Sequence, residues 1–296
     1  MKALIIINPN SGRRRTRDYP KRICRALRFQ GYSYDMVITQ SAEEAELIAK
    51  TRAENFDLLV CLGGDGTLSS IINGLYGLEH IPPISYIPAG TRNDFAQSLG
   101  LSSDIDSFSR NLVSGRKQKL DIGIMNGRCF VYVAAFGLMA ECSYATPAAL
   151  KKRLGKFAYV IEGTREIPFT KAARLSVYSG EKKLCEGNYI FGAVSNSISI
   201  GGTLHYKSSD VDFCDGLHEV ILVKKPKNPA MLAGILNALR KKDYSAEGIE
   251  LFHLSDVRFE GEVQWSLDGE KFPLCKSIEI KNIPAALDFI VPRKVD

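Results

Sequence analysis

A single acidic residue, Asp65, lies among glycines in the stretch VCLGGDGTLSSIING, residues 60–74. The stretch passes from apolar residues through GGDGT to apolar residues again, a pattern typical of a buried strand, a turn and a helix. The glycines can adopt positive φ or let the backbone approach a ligand, and N–H groups at a helix start suit phosphate. Such a turn is also a common strand-to-helix connection, so this motif alone leaves both interpretations open.

Two more polar loops follow predicted strands, namely NPNSG at residues 8–12 and PAGTRNDFA at residues 88–96. The carboxyl ends of parallel strands meet at one edge of a sheet, which is where ligands bind. Among phosphate-binding amides, Asp65 would repel phosphate unless a divalent cation lies between them or the acid handles a proton. Both interpretations indicate phosphoryl transfer.

The first part of the chain alternates strand and helix patterns. Apolar runs predict strands at Ala3–Ile7, Asp35–Ile38, Leu58–Leu62 and Ser85–Ile87. Helices are expected over the basic stretch through Arg25, over 42–55, where Ser41 and Glu44 form a capping box, and from about Leu68 to Leu75. Short loops between these elements predict a parallel sheet with helices on both faces, hence an α/β fold.

After about Leu120 the pattern changes to strands with few helices, which predicts an antiparallel, β-rich second domain. The predicted strands are Arg128–Ala135, Ala173–Ser179, Asn188–Asn196, His218–Val223, Val257–Glu260, Ser277–Lys281 and Leu287–Val291. Helices are expected at 148–166 and 229–240.

Composition limits the classes of protein and partner. Of 296 residues, 45% are apolar and 24% charged, the profile of a soluble globular protein. The net charge of +6 favours anionic partners but is small for a dedicated nucleic-acid binder. Seven scattered cysteines without a metal-binding pattern predict reduced thiols, mostly core residues, in a cytosolic protein.

The apolar segments are too short to span a membrane. The run from Cys129 to Ala140 has no charge but is far shorter than the roughly twenty residues that a spanning helix needs. The N-terminal apolar run is interrupted by Asn8 and Pro9 and is expected to be a strand rather than a signal peptide. Any contact with a membrane is therefore expected to be peripheral.

No P-loop and no GxGxxG fingerprint with a downstream ribose acid occurs. Five ordered motifs, NPNSG, GGDGT, GTRNDFA, CDGLHEV and LDGE, resemble the diacylglycerol kinase catalytic-domain family. That family includes soluble bacterial lipid kinases, sphingosine kinases and ceramide kinases. The resemblance implies a three-layer N-terminal nucleotide-binding domain, similar to NAD kinase and phosphofructokinase, followed by a β-sandwich-like C-terminal domain. It also implies that the last strand returns to the first domain, giving domains at 1–121 plus about 285–296 and at 122–284.

The resemblance also implies site residues. Those that would contact ATP are Asn8, Pro9, Asn10, Ser11, Gly12, Thr39, Gly63, Gly64, Asp65, Gly66, Thr67, Leu68, Ser69 and Thr91. Glu270 of the D-G-E motif would be the proton acceptor, with Asp268 nearby and Asp65 as the central acid near the phosphates. A structural Mg²⁺ would be bound by Asp212, Asp215 and Leu217, with Asp121 reaching it through water. The alternative for Glu270 is an exposed acid on a hairpin turn, since Asp-Gly is typical of such turns. The alternative for the Mg²⁺ ligands is a solvated acidic loop.

The implied activity is transfer of the γ-phosphate of ATP, with Mg²⁺, to a lipid hydroxyl, most simply that of diacylglycerol, in a cleft between the domains. A homodimer is plausible, with no nucleic-acid partner. Two alternatives stay open: an NAD kinase, which shares GGDGT, and a catalytically silent nucleotide- or lipid-binding regulator. Ser69 and Ser70 depart from the family's usual Asn-Glu pair. Two basic clusters, Arg13–Arg15 and Lys151–Lys156, could attract phosphates or acidic lipids, although solvated faces are the commoner explanation.

Overall fold

The computed structural model describes residues 1–9, 18–90, 93–137, 172–200, 204–207 and 211–293. The predicted nucleotide contacts Asn10, Ser11, Gly12 and Thr91, both basic clusters and the predicted helix 148–166 lie outside these residues. The chain divides into two compact units. The first comprises Met1–Ile122, Arg128–Val131 and Ile283–Asp296, and the second comprises Gly123–Gly127 and Tyr132–Asn282.

The first unit contains the predicted alternation of strands and helices. Its strands are β1 (Lys2–Ile7), β2 (Ser33–Ile38), β3 (Leu58–Gly63) and β4 (Ile84–Pro88), followed by β5 (Arg116–Met125), which continues into the second unit, and β6 (Arg128–Phe130). Its helices are α1 (Tyr19–Phe29), α2 (Ala42–Arg52) with a 3₁₀ turn at Ala53–Asn55, α3 (Asp65–Leu75), α4 (Asp94–Ser98) and α5 (Ile105–Ser114). The mixed α/β class is thereby confirmed.

The sheet of the first unit is parallel, in the order β2-β1-β3-β4. One face packs on α1 and α5, with Ile5 and Val60 in a core shared with Ile23 and Phe108. Residues that point to the opposite face, such as Ile6, are buried as well. Both faces of the sheet are therefore covered, as is usual for parallel sheets with continuous apolar strands. One half of the predicted capping box forms, since Ser41 Oγ accepts from the Glu44 N–H at 3.2 Å. The Glu44 carboxylate accepts from the Gln40 N–H at 2.7 Å, one residue before the N-cap.

Helix α3 begins at Asp65, three residues before the predicted start near Leu68. Gly64 is the N-cap, so Asp65 lies in the first helical turn rather than in a loop. The glycine-rich sequence concealed this start because glycine disfavours helix interiors but is tolerated at the first turn, where an acidic residue interacts favourably with the helix dipole.

The second unit is β-rich. Its strands are β7 (Val133–Gly137), β8 (Ala173–Ser179), β9 (Lys182–Ser195), β10 (Ser199–Ile200), β11 (Leu204–His205), β12 (His218–Lys224), β13 (Ile249–Leu254), β14 (Asp256–Val263), β15 (Trp265–Leu267) and β16 (Glu270–Lys271). Helix α6 spans Pro229–Lys241. Antiparallel pairs link β7 to β9 and β15, β9 to β8 and β12, and β8 to β14. Phe136, Phe259 and Trp265 form its aromatic core, with ring centroids 4.9–6.4 Å apart.

In two regions of the chain, the predictions were wrong about where one strand ends and the next begins. The predicted strand Arg128–Ala135 is two strands, β6 and β7, because the N–H groups of Tyr132 and Val133 donate to a side chain, Asp268, rather than to a neighbouring strand. The two predicted strands near the C-terminus are one, β17 (Cys275–Val291), despite Pro284 and a left-handed residue at Ala285. The first part of β17 pairs with β14 and its second part with β4.

The cysteine prediction holds in part. No disulfide joins the cysteines within the described ranges. Cys61 and Cys129 are buried, whereas Cys214 is exposed and the other three described cysteines are partly buried. The prediction of mostly core residues is therefore wrong, since many of these side chains reach the surface.

Candidate active site

The described parts of three polar loops, residues 8–9, 64–67 and 89–90, lie at one edge of the first unit's sheet, as the sequence predicts. Strands β1, β3 and β4 run parallel, with Ile7 opposite Leu62 and Gly63 opposite Pro88. Their carboxyl ends are therefore level, and the residues that follow each strand emerge side by side. This edge is where ligands of open parallel sheets bind.

A hydrogen bond ties the loop after β1 to helix α3. The side-chain amide of Asn8 donates to the Thr67 hydroxyl at 2.9 Å. Thr67 is nearly buried, and a Cβ at Gly63 would lie 2.6 Å from its Cβ, closer than real side chains approach. Glycine at residue 63 is therefore required by the packing of Thr67 rather than by its own φ angle.

The loop after β4 contacts the N-cap of α3. A Cβ on Gly90 would lie 2.9 Å from Gly64 Cα and 2.7 Å from Asn93 Oδ1, so only glycine fits here. Asn93 has a left-handed backbone (φ 51°), and its amide donates to the Gly90 carbonyl at 2.9 Å. The backbones at Gly64 and Gly90 thus approach closely without side chains between them. None of the three GGDGT glycines has positive φ.

Asp65 combines a helix N-terminus with a tyrosine donor. The Tyr86 hydroxyl donates to Asp65 Oδ1 at 3.2 Å. Burial raises the pKa of Tyr86 well above its usual value, and the nearby charge of Asp65 raises it further. Burial and Asp65 likewise raise the pKa of the Cys61 thiol. Both neighbours therefore stay uncharged at neutral pH, and the carboxylate faces donors rather than competing anions.

The other predicted nucleotide contacts differ in accessibility. Pro9 is exposed, and Ser69 is partly buried. Thr39 is buried, and its hydroxyl donates to the Ile7 carbonyl at 3.2 Å. Leu68 is fully buried and its N–H donates to the Gly64 carbonyl at 3.1 Å, so both its side chain and its amide are already engaged. The N–H groups of the first turn, at Gly66 and Thr67, have no acceptor within the helix.

The D-G-E motif forms a tight hairpin in the second unit. Asp268 (φ 49°) and Gly269 (φ 92°) occupy the two left-handed positions that a two-residue turn requires, between β15 and β16. The Asp268 carboxylate accepts from the N–H groups of Tyr132 (3.1 Å) and Val133 (2.9 Å). Glu270, directly after the turn, is exposed. Asp268 thus fixes the hairpin that carries Glu270.

The predicted cation ligands lie on a loop before β12. Asp212 accepts from the Cys214 N–H at 3.0 Å, and Asp215 accepts from the Leu217 N–H at 2.9 Å. Both aspartates are exposed, and Leu217 is partly buried. Within the described ranges, no three His, Cys, Asp or Glu side chains are grouped closely enough to hold a metal ion, so a cation here would depend on backbone carbonyls and water.

A buried carboxylate, Glu219, lies just beyond this loop. It is 1% exposed, and its Oε2 has no hydrogen-bond partner among the described residues. Burial raises the pKa of Glu219 to about 8, and the charges of Asp215 and Asp212 add to the rise. An acid with this pKa is largely protonated at neutral pH, so its burial leaves little charge without a partner.

Asp121, predicted to reach the cation through water, is held in the first unit. It is 1% exposed, and its Oδ1 accepts from the Ala285 N–H at 2.7 Å. That hydrogen bond lies at the left-handed residue of β17. Asp121 therefore fixes the course of the C-terminal strand.

Sequence reasoning missed three polar residues. Tyr86 was assigned only to a buried strand, although a buried tyrosine hydroxyl usually needs a partner, which was the available signal. Asn73 bonds both the N–H (2.9 Å) and the carbonyl (3.0 Å) of Cys129, which fixes α3 to β6. No local pattern pointed to Asn73, because its partner lies 56 residues away. Glu219 lies in an apolar strand pattern, where an acid is itself unusual.

No helix in the described part of the chain is long and apolar enough to cross a membrane.

The profile of the diacylglycerol kinase catalytic domain matches residues 2–125. A diacylglycerol kinase of Bacillus subtilis strain 168 is 31% identical over 91% of this chain and 89% of its own length. A relative of the same name from Staphylococcus aureus strain RF122 / ET3-1 is 33% identical over 91% of this chain and 86% of its own.

Solved structures share the fold. An NAD kinase from Archaeoglobus fulgidus, in complex with ATP, superposes with a TM-score of 0.56 at 15% identity, covering 99% of this chain and 95% of its own. A diacylglycerol kinase from Bacillus anthracis strain Sterne superposes with a TM-score of 0.74 at 19% identity, covering 100% and 98%. The extent and identity of the curated matches, together with the motifs, establish that the chain belongs to the diacylglycerol kinase family.

Proposed function

We propose that this kinase transfers the γ-phosphate of ATP to the hydroxyl of a membrane lipid, diacylglycerol giving phosphatidic acid. The observation that carries the proposal is the meeting of the described parts of three polar loops at the carboxyl edge of a parallel sheet, with Asn8 of NPNSG bonded to Thr67 of GGDGT and Gly90 of PAGTRNDFA against Gly64. Backbone donors and a hydroxyl grouped at a helix start suit a nucleotide's phosphates. Family membership supports a lipid as the acceptor.

Asp65 is assigned to the phosphate end of the nucleotide. Its place in the first turn of α3 and the Tyr86 hydrogen bond both favour the ionised carboxylate. A Mg²⁺ bound with the nucleotide would supply the positive charge that lets a carboxylate lie beside phosphates. In this proposal Asp65 orients the nucleotide's metal and does not take the proton.

Glu270 is assigned as proton acceptor for the lipid hydroxyl. It is exposed and its neighbour Asp268 is fixed by two backbone N–H groups, so the side chain is presented on a stable turn. An oxygen attacking a phosphoryl group loses its proton to a base within hydrogen-bond reach. Asp212, Asp215 and Leu217 are assigned to a structural cation, with Asp121 reaching it through water.

The second candidate function is phosphorylation of NAD. GGDGT and the likeness to the Archaeoglobus fulgidus NAD kinase favour it, but that likeness, at 15% identity, concerns the fold alone. The curated relatives over nine-tenths of the chain carry the name diacylglycerol kinase. The lipid is therefore the better-supported acceptor, reached by peripheral contact with a membrane.

The proposal is tested by supplying purified protein with γ-labelled ATP, Mg²⁺ and a panel of acceptors: diacylglycerol, sphingosine, ceramide and NAD. We expect label in the chloroform-soluble fraction with diacylglycerol. Label only in NADP would establish the second candidate. Tight ATP binding without transfer to any acceptor would support a silent regulator and reject the kinase.

A further inference from the structure

We propose that Tyr86 is a positioning residue for Asp65, holding its carboxylate in the orientation that binds the nucleotide's metal. The inference rests on the proposed use of a metal-bound nucleotide. Its evidence is a contact between a strand and a helix of the same unit, in which the Tyr86 hydroxyl donates to Asp65 Oδ1 at 3.2 Å. Nothing in the GGDGT motif itself specifies this donor.

Strand register places the tyrosine under the start of α3. Tyr86 of β4 lies directly opposite Cys61 of β3, and directly opposed residues of paired strands project to the same face. Asp65 follows Cys61 by four residues, after the turn at Gly64. The phenol therefore spans from the strand beneath the helix to the carboxylate at the helix start.

Burial makes the tyrosine a rigid support. Tyr86 is 3% exposed, and Cys61 beside it is fully buried. A buried side chain packed between strands has few rotamers available, so its hydroxyl has a nearly fixed position. A fixed donor restricts rotation of the Asp65 carboxylate, whereas a first-turn aspartate without such a donor can turn toward the helix N–H groups or solvent.

The chemistry requires a restricted carboxylate. Mg²⁺ demands near-ideal geometry and is usually held by only one or two protein carboxylates, so a misdirected oxygen weakens the site. Residues that act through a ligand in this way commonly change metal affinity about tenfold to a hundredfold. Because Tyr86 is proposed to act through Asp65, its effect is expected on metal-dependent binding and on kcat, not on metal-free ATP binding.

The test uses Tyr86→Phe, which removes the hydroxyl and keeps the ring. Calorimetry gives the ATP Kd with Mg²⁺ and with EDTA, and the Kd in EDTA divided by the Kd with Mg²⁺ measures the metal's contribution. We expect this ratio to fall about tenfold in the variant, while the Kd in EDTA is unchanged. In steady-state assays kcat is expected to fall more than the KM for ATP changes.

A double-mutant cycle separates positioning from general damage. In an Asp65→Asn background, Tyr86→Phe should change the ratio little further, because the pair acts as a unit. The matched control is Tyr189→Phe, which also breaks a hydrogen bond from a buried tyrosine to a carboxylate, that of Glu250 at 2.7 Å, in the second unit. It should leave the ratio unchanged.

Thermal unfolding monitors the fold of each variant. Should Tyr86→Phe not fold, Tyr86→His keeps a ring N–H donor at a different position, and its ratio should lie below that of the wild type. An unchanged ratio in either folded variant would overturn the inference. So would an equal fall on Tyr86→Phe in the wild-type and in the Asp65→Asn background. Absence of phosphate transfer by the wild type would instead reject the proposed function, since the binding cycle can be measured without turnover.

Discussion

The side-chain amide of Asn8 donates a hydrogen bond to the Thr67 hydroxyl at 2.9 Å, joining two loops separated by 59 residues in sequence. One loop follows β1 and the other begins α3, and both are assigned to the nucleotide's phosphates. The bond fixes Thr67 relative to the loop of NPNSG. Ordering two phosphate-binding loops before the ligand arrives reduces the cost of binding.

Replacement of Asn8 by Ala is therefore expected to weaken ATP binding by about threefold to tenfold, the effect of one neutral hydrogen bond and its loop. The measurement is the calorimetric Kd for ATP with Mg²⁺. Asn111→Ala, in helix α5 and outside the three loops, is the control and should bind ATP like the wild type. Equal affinities for all three proteins would show that Asn8 has no part in organising the site.

Gly90→Ala is expected to damage both stability and nucleotide binding. Its Cβ would lie 2.9 Å from Gly64 Cα, and backbone cannot yield as a flexible side chain can. We expect a loss of about 1–3 kcal/mol in the free energy of unfolding, as overpacking costs. Gly234→Ala in helix α6 is the matched control, because a Cβ there meets nothing within 4 Å. It should be neutral or stabilising by up to about 1 kcal/mol. Urea denaturation distinguishes the two, and equal effects would contradict the close approach at Gly90.

Asp268→Ala is expected to loosen the hairpin that carries Glu270. The variant loses the acceptor of the Tyr132 and Val133 N–H groups and a residue type that tolerates a left-handed turn better than alanine does. A loss of about 2–4 kcal/mol in unfolding free energy is expected from two hydrogen bonds to a charged group. Asp268→Asn keeps one acceptor oxygen and the turn preference, so it should lose less. A lower free energy of unfolding for Asp268→Asn than for Asp268→Ala would be inconsistent with this account.

His218 predicts a pH dependence of stability. Burial lowers its pKa to about 4, and a hydrogen bond involving the Lys281 backbone offsets this only in part. The folded state therefore binds fewer protons than the unfolded state, whose histidine titrates near 6.5. The contribution of neutral His218 to the free energy of unfolding is present above pH 6.5. It is lost as pH falls toward 4, by up to about 3 kcal/mol.

The measurement is urea denaturation of the wild type and of His218→Gln at pH 7 and pH 5. We expect the wild type to lose more stability than the variant over this interval. His253→Gln, at an exposed position, is the control and should follow the wild type. The same pH dependence in His218→Gln as in the wild type would assign the effect to other groups.

The sequence allowed the parallel half of the fold to be predicted because its strands are buried on both faces and its helices carry local signals. Ser41 and Glu44 marked a helix start within four residues, and Ser41 caps that helix by accepting from the Glu44 N–H. The strand Ala173–Ser179 was predicted at its observed bounds. Local propensity and burial agree in these segments, so no distant residue was needed.

The remaining differences come from contacts distant in sequence. Asp268 interrupts the strand after Phe130 by accepting from Tyr132, 136 residues away. The link of Asp121 to Ala285 spans 164 residues and accompanies a strand that continues past Pro284. The Tyr86–Asp65 bond depends on strand register. Patterns within a short stretch of sequence contain none of these pairings. The motifs therefore indicated a site but not the residues that hold it in place.

The most direct test is the initial rate of phosphate transfer from labelled ATP to diacylglycerol in mixed micelles, for the wild type and Glu270→Gln. The account predicts labelled phosphatidic acid from the wild type and a rate at least about a hundredfold lower from the variant, as expected for loss of a general base. ATP affinity should be unchanged, because Glu270 is not assigned to the nucleotide. A wild-type enzyme that labels no lipid, or a variant as fast as the wild type, would contradict it.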